Sequence, residues 1–334
     1  MLIFIDESGT FTSVSGPTGV SLVGALIIPE GSIAKIEKKY DAIRKNLPTE
    51  NGEVKGRLLS EAEVDRVVTL LKRNEVLFEV VGIDMAAHSR SGIEVHKKGQ
   101  ENGITVNLTA AFHPNAQKGL WELRRRLERM PHQLYIQSVL MFELIPMVVE
   151  HATLYFSQRR PETLGHFKWV VDGKDKGRVT DWENWWSLTV MPMTQSRSLR
   201  EPMGQFVDGD YTYFQRFEMA IPEYLWPHLK NPRQRVGLDI KKILTESFRF
   251  SSKPEPGLEM VDILTNATRR ALAGRLGIKG WKYIRQLMIH RKKHYVRLIS
   301  LAASPKGHRY PYMHVLHQFS RGGKSMLAPR FQSR

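Results

Sequence analysis

The chain has 334 residues, an apolar share of 41% and no cysteine. That length and composition allow a substantial core, and the missing cysteine excludes disulfides, thiolate metal sites and thiol catalysis. The net charge of +16 is unevenly placed: residues 264–334 carry 16 Lys plus Arg and no acid, while the 34 basic residues before them match the 34 acidic ones. A surplus segregated in this way is an electrostatic footprint for a polyanion. The same segment interleaves Trp281, Tyr283, Tyr295, Tyr310, Tyr312, Phe319 and Phe331 with its cations, a mixture suited to base stacking beside phosphate contacts, although Trp281 and Tyr283 suit a helical core equally well.

Taken in order, Met1–Thr10 opens as an apolar strand that stops on Asp6 and Glu7 before the Ser8-Gly9 turn signal. A Gly/Ser/Thr-rich link leads to a second strand over 20–28, expected to pair antiparallel with the first. Apolar residues at helical spacing predict a helix over 32–46, and Ser60 with Glu63 forms a capping-box pattern that opens the next one. A third strand is expected over 76–84. His88 to Gly103 is polar and contains glycine, which predicts a loop. Helices follow over 119–129 and 134–157. The latter holds the most apolar window, but Gln137, Glu143 and Pro146 interrupt it, so a buried helix is expected rather than a membrane span. His166 to Gly173 repeats the opening pattern, an apolar strand ending on Asp172. Trp182, Trp185 and Trp186 suggest a short helix, 188–193 another strand, and 196–232 irregular chain. The spacing of Leu258, Val261, Leu264 and Ala267 predicts a helix ended by Gly274, then a basic helix over 281–301 and a tail. The beginning of the chain lacks a signal-peptide pattern. A cytoplasmic protein with no membrane partner is expected.

Four acids stand out by position: Asp6 and Asp172 at strand ends, Glu53 in a glycine-bounded segment before a helix, and Asp262 in the C-terminal helix, where Glu259 shares its face three residues earlier. Oxygen donors of this kind suit Mg²⁺ or Mn²⁺, and a pair of such ions clamps the attacking and leaving oxygens of phosphodiester hydrolysis. Taken singly, each acid has a plainer reading: a turn residue for Asp6 and Asp172, a surface residue for Glu53, an ion pair with Arg269 or Lys253 for Asp262. Glu7, on the opposite strand face to Asp6, is expected to point away and order the turn. His290 with His294, and His314 with His317, have chelating spacing, but Arg291, Lys292 and Lys293 surround the first pair and repel cations. Walker and dinucleotide fingerprints are absent.

With Phe4-Ile-Asp6-Glu7-Ser8-Gly9, Glu53-Val-Lys55-Gly56, the strand ending at Asp172, and Ser251-Ser-Lys253 followed by Gly257-Leu258-Glu259-Met-Val-Asp262, the chain resembles the bacterial domain-of-unknown-function family numbered 3800, of the ribonuclease H-like superfamily. Glu259 stands where that family usually has Gln, and Val261 where it has Ala. The resemblance covers both ends of the chain and little of the middle. It implies an α/β fold with a mixed sheet, helices on both faces and acids on the first strand, a helix, the fourth strand and a C-terminal helix. Asp6, Glu53, Asp172 and Asp262 would take those roles. The expected organisation is a core over 1–263, with a helical insertion at about 85–165, and a basic helical segment over 264–334 packed on it. The function expected is a metal-dependent nuclease acting on DNA or RNA. Asp6, Glu53, Asp172, Asp262 and Glu259 would serve as Mg²⁺ or Mn²⁺ ligands; Lys55, Lys253, Arg269, Arg270, Arg291, Lys292 and Lys293 would hold phosphates. Lys55 equally suits an ion pair with Glu53. The alternative is a scaffold that binds nucleic acid or a protein without cutting.

Overall fold

The computed structural model describes residues 1–12, 19–110, 112–173, 184, 186–231, 233–292, 294–301 and 310–329. The strands are β1 (Leu2–Ser8), β2 (Val20–Ile28), β3 (Thr49–Glu50), β4 (Glu53–Val54), β5 (Leu77–Asp84), β6 (Lys168–Asp172), β7 (Glu218–Ala220), β8 (Val236–Leu238), β9 (Ser247–Ser251) and β10 (Val296–Ile299). Six of them form one mixed sheet in the order β10-β5-β2-β1-β6-β9, while β3 pairs with β4 and β7 with β8 in small ribbons. Within the sheet, β2 runs antiparallel to β1 and β5, and the remaining neighbours are parallel.

The helices are α1 (Ile33–Arg44), α2 (Glu61–Lys72), α3 (Arg90–Thr105), α4 (Pro114–Arg129), α5 (His132–Phe156), α6 (Met191–Arg200), α7 (Ile240–Thr245), α8 (Pro256–Leu272), α9 (Ile278–Trp281) and α10 (Met313–Phe319). Strand alternation sorts them into two layers. Ile3 and Ile5 of β1 enter a core with Tyr135, Leu144 and Val148 of α5. Phe4 enters the opposite core with Leu258 and Val261 of α8, Tyr40 of α1 and Val67 of α2. All nine residues of β2 are buried, because helices cover that strand from both sides. By length and composition α5 could cross a membrane; in the structure its apolar residues pack on the sheet.

Helix α8 lies unusually close to β1 and β2. A Cβ at Gly257 would sit 2.3 Å from the buried Phe4 ring, and one at Gly24 would sit 2.1 Å from Thr265 Oγ1. Gly257→Ala is therefore expected to destabilise the fold. Overpacking costs about 1–3 kcal/mol and outweighs the roughly 1 kcal/mol that alanine gains over glycine in a helix. Chemical denaturation should show a lower midpoint at an unchanged slope.

Several expected elements differ. The stretch read as a loop over 88–103 forms most of α3, capped by Ser89, whose Oγ accepts from Gly92 N. Its inward stripe is Ile93, Lys97 and Glu101, with Lys97 Nζ donating to Glu128 O at 2.8 Å. The run 188–193 is helical, a π-turn over Trp186–Val190 continuing into α6, since a short apolar run fits strand or buried helix alike. Of the expected tryptophan helix, Trp182 and Trp185 lie outside the described residues, as does Phe331. The basic helix expected over 281–301 is instead a short helical stretch followed by β10, which pairs with the edge of β5. Consequently 264–334 is not an appendage: its boundary falls inside α8, and β10 completes the sheet.

Candidate active site

The site begins with strand register. Ile5 of β1 lies opposite Val171 of β6, and Asp172 lies opposite Ser251 of β9. One residue beyond Ile5, Asp6 stands level with Asp172 at the carboxyl ends of adjacent parallel strands. Two residues before them, Phe4 and Val170 belong to the core beneath α8, so Asp6 and Asp172 share that face. Both are half-buried. The Glu7 N–H donates to Asp6 Oδ1 at 2.6 Å. The Glu7 side chain takes the other face, where Gln137 Nε2 of α5 donates to both its oxygens at 2.9 and 2.8 Å. Glu7 thus points away from Asp6, as its strand position requires.

Helix α8 brings Asp262 over this end of the sheet. The residue is 9% exposed, and its Oδ2 accepts from Gly56 N at 2.7 Å. Only glycine permits that bond, because a Cβ at position 56 would lie 2.8 Å from Ile263 Cα. Burial, reinforced by the nearby charge of Glu53, pushes the Asp262 carboxyl above its usual pKa, while the Gly56 N–H and Lys55 oppose the shift. Glu53 is on β4 rather than beside a helix start, and its Oε1 holds Lys55 Nζ at 2.7 Å. Burial works against the Lys55 ammonium, yet its bond to Glu53 and the charges of Glu53, Asp262 and Asp6 together raise its pKa. One cation is thereby set among three of the four expected acids.

At the end of β1, Arg269 Nε donates to Ser8 Oγ at 2.8 Å and Asn266 Nδ2 donates to the same oxygen at 3.2 Å. Asn266 was not among the expected site residues. Its one sequence signal is the step of four from Asp262, which puts both on one helix face, and its Oδ1 is buried without a partner among the described residues. Gly56 escaped notice for a similar reason, since its role belongs to the backbone.

Other expected members have different work. Glu259 is not a free ligand. Its oxygens take Arg44 Nε and Nη2 at 2.7 Å each, Tyr40 OH at 2.9 Å and Val54 N at 2.9 Å, leaving a 1% exposed carboxylate fully used in joining α8 to α1 and β4. Arg270 donates to Gly56 O and Leu59 O, so it braces the segment beside the acids and is not directed at a ligand. Arg291 lies on the opposite face of the sheet, bound to Glu79, Tyr295 O and Met147; Glu79 sits in β5 between Phe78 and Val80 of the α8-side core and so faces α5. Arg291 cannot reach a phosphate at Asp6. Lys253 is exposed just beyond β9, Lys292 lies at the β10 edge, and Lys293 is outside the described residues.

In kind, the donors fit a hard divalent cation, all being carboxylate oxygens. As placed, no three Asp, Glu or His side chains among the described residues are grouped to hold a metal ion. Mg²⁺ keeps several waters and takes one or two carboxylates plus substrate phosphates; Asp6 and Asp172 are the two carboxylates that the strand register sets level with each other. Comparison with protein-family models, curated proteins and solved structures finds no match to this chain in any of the three.

Proposed function

We propose that the protein is a metal-dependent nuclease with a ribonuclease H-like core, hydrolysing phosphodiester bonds of DNA or RNA at Asp6, Asp172, Asp262 and Glu53. The observation that carries this reading is the level, same-face placement of Asp6 and Asp172 on adjacent parallel strands beneath the helix that bears Asp262. In chain order β1 is the first strand of the sheet and β6 the fourth, and α8 follows the fifth. Three of the acids thus occupy the elements that the family resemblance implies. The carboxyl ends of parallel strands are also where open α/β sheets place ligands.

Asp6 and Asp172 would hold Mg²⁺ or Mn²⁺, with Asp262 next to them; such an ion supplies charge neutralisation at phosphorus and a water of lowered pKa. The chain's own residues then have definite tasks. Lys55 is poised to leave Glu53 for a non-bridging phosphate oxygen. Gly56 N–H fixes the Asp262 carboxylate. Arg269, anchored on Ser8, supplies a second positive charge at the strand end, and release of Lys55 frees Glu53 to accept a proton from the attacking water.

The test is incubation of single- and double-stranded DNA and RNA with the protein in Mg²⁺, in Mn²⁺ and in chelator, alongside Asp6→Asn. Cleavage should need the metal and fall by about a hundredfold or more in Asp6→Asn, a loss of about 2.7 kcal/mol in transition-state stabilisation. Binding without metal-dependent cleavage of any substrate would instead make the protein a non-catalytic nucleic-acid scaffold, a reading favoured by the way Gly56 N–H and Lys55 already satisfy Asp262 and Glu53.

A further inference from the structure

The acid-free segment builds a groove at the opposite edge of the sheet from β9. Strand β10 is the terminal strand there, paired on one side with β5, so the polar backbone groups of its outer side are unmatched by any described strand. Helix α10 runs alongside and turns Met313, Leu316, His317 and Ser320 toward it, a spacing that lies on one helix face. Between them is an open groove of about 910 Å³. Lys292, His294, Arg297, Tyr310, His317 and Arg321 line it, and no acid is among its described lining residues. Arg297 reaches Glu143 at 2.5 Å. For Lys292 and Arg321, both exposed, no ion pair with a carboxylate occurs among the described residues. The rings of His294 and His317 lie 5.3 Å apart, and Tyr310 stacks on Tyr312 with centroids 5.5 Å apart.

The register ties this groove to the acids. Val296 lies opposite Val80, Val80 opposite Gly24, and Gly24 opposite Asp6. Val296 in the wall of the groove and Asp6 therefore stand in one row across the sheet, three strand spacings or about 14 Å apart. A channel between one strand and one helix has room for a single extended chain rather than a duplex. Cations without acids attract phosphates, and an accessible aromatic among them offers a base its face.

We propose that the β10–α10 groove binds single-stranded nucleic acid and carries it toward the acids. The proposal rests on the nucleic-acid reading above and adds where the strand lies. It is tested by fluorescence anisotropy with a short labelled single-stranded DNA or RNA, in chelator and on an Asp6→Asn background, so that cutting plays no part. Adding Lys292→Glu with Arg321→Glu should weaken binding by about tenfold or more and reduce the slope of log K against log salt by about 1.4, two phosphate contacts at about 0.7 each. Lys35→Glu with Lys39→Glu, exposed on α1, matches the change in charge away from the groove and should have a much smaller effect. Equal losses in the two pairs of variants would overturn the groove, and poly-glutamate competing as well as the oligonucleotide would overturn its assignment to nucleic acid. Cleavage by the unaltered protein is read separately, so the groove stands or falls apart from the nuclease chemistry.

Discussion

Glu259→Ala is expected to destabilise the protein by about 3–5 kcal/mol, chiefly because two buried donors lose their acceptor and a cavity is left. The carboxylate is 1% exposed and bonded to three residues from two elements, Tyr40 and Arg44 of α1 and Val54 of β4. The Arg44 side chain is 31% exposed, so its guanidinium regains water when the acid is lost, and little of the cost arises there. The heavier loss falls on Tyr40 OH and Val54 N, both buried and both bonded to Glu259. Each is left without an acceptor, at about 1–3 kcal/mol apiece. The cavity left beside α8 adds to this. Glu259→Gln, which keeps the shape and one carbonyl acceptor, should lose less. Denaturant unfolding gives the measurement: a lower midpoint at an unchanged slope is expected. A change within about 0.5 kcal/mol, the range of an ordinary surface substitution, would show that the hub is not structural and would return Glu259 to the candidate ligands.

Glu259 and Asp262 also mark how far the sequence could be read. Their spacing of three puts both on one face of α8, and that is visible without a structure. What lies opposite each is not: Glu259 meets Tyr40 and Arg44 of α1, and Asp262 meets the N–H of Gly56. Those partners lie more than 200 residues away in the chain. Strands β1 and β6 were legible because each is an apolar run stopped by an acid, and their pairing then sets Asp6 level with Asp172. Helix α3 was hidden because its buried stripe includes Lys97 and Glu101, a charged pair that an apolar pattern does not register. Strand β10 was hidden because Val296–Ile299 is short and preceded by basic residues, and only the free edge of β5 decides its state. Arg291 looked like part of a phosphate-binding run with Lys292, yet Arg291 is bound to Glu79 on the α5 face of the sheet while Lys292 lines the groove at the β10 edge. Charge counted along a chain does not say which face of a sheet receives it.

Asp262→Asn should separate catalysis from stability. Cleavage is expected to fall by about a hundredfold or more, about 2.7 kcal/mol of transition-state stabilisation, while stability at neutral pH is unchanged or higher. The sign follows from burial. Desolvation first, and then Glu53, raise the folded-state pKa of Asp262 above its ordinary value, with the Gly56 N–H and Lys55 only partly offsetting them. A carboxyl that holds its proton more tightly when folded contributes stability at low pH and loses it as the pH rises through the folded-state pKa. Above that folded-state pKa the ionised side chain is therefore a net cost to the fold. The amide keeps an oxygen for Gly56 N–H and removes the buried charge, so the cost disappears while the Lys55 attraction is given up. Thermal unfolding over a series of falling pH should show any advantage of the variant shrinking in acid, as the native carboxyl takes up its proton. A purely structural Asp262 predicts the reverse, a lower melting temperature at neutral pH with no special loss of cleavage. Lost cleavage together with retained or raised stability would mark Asp262 as a residue kept for chemistry rather than for the fold.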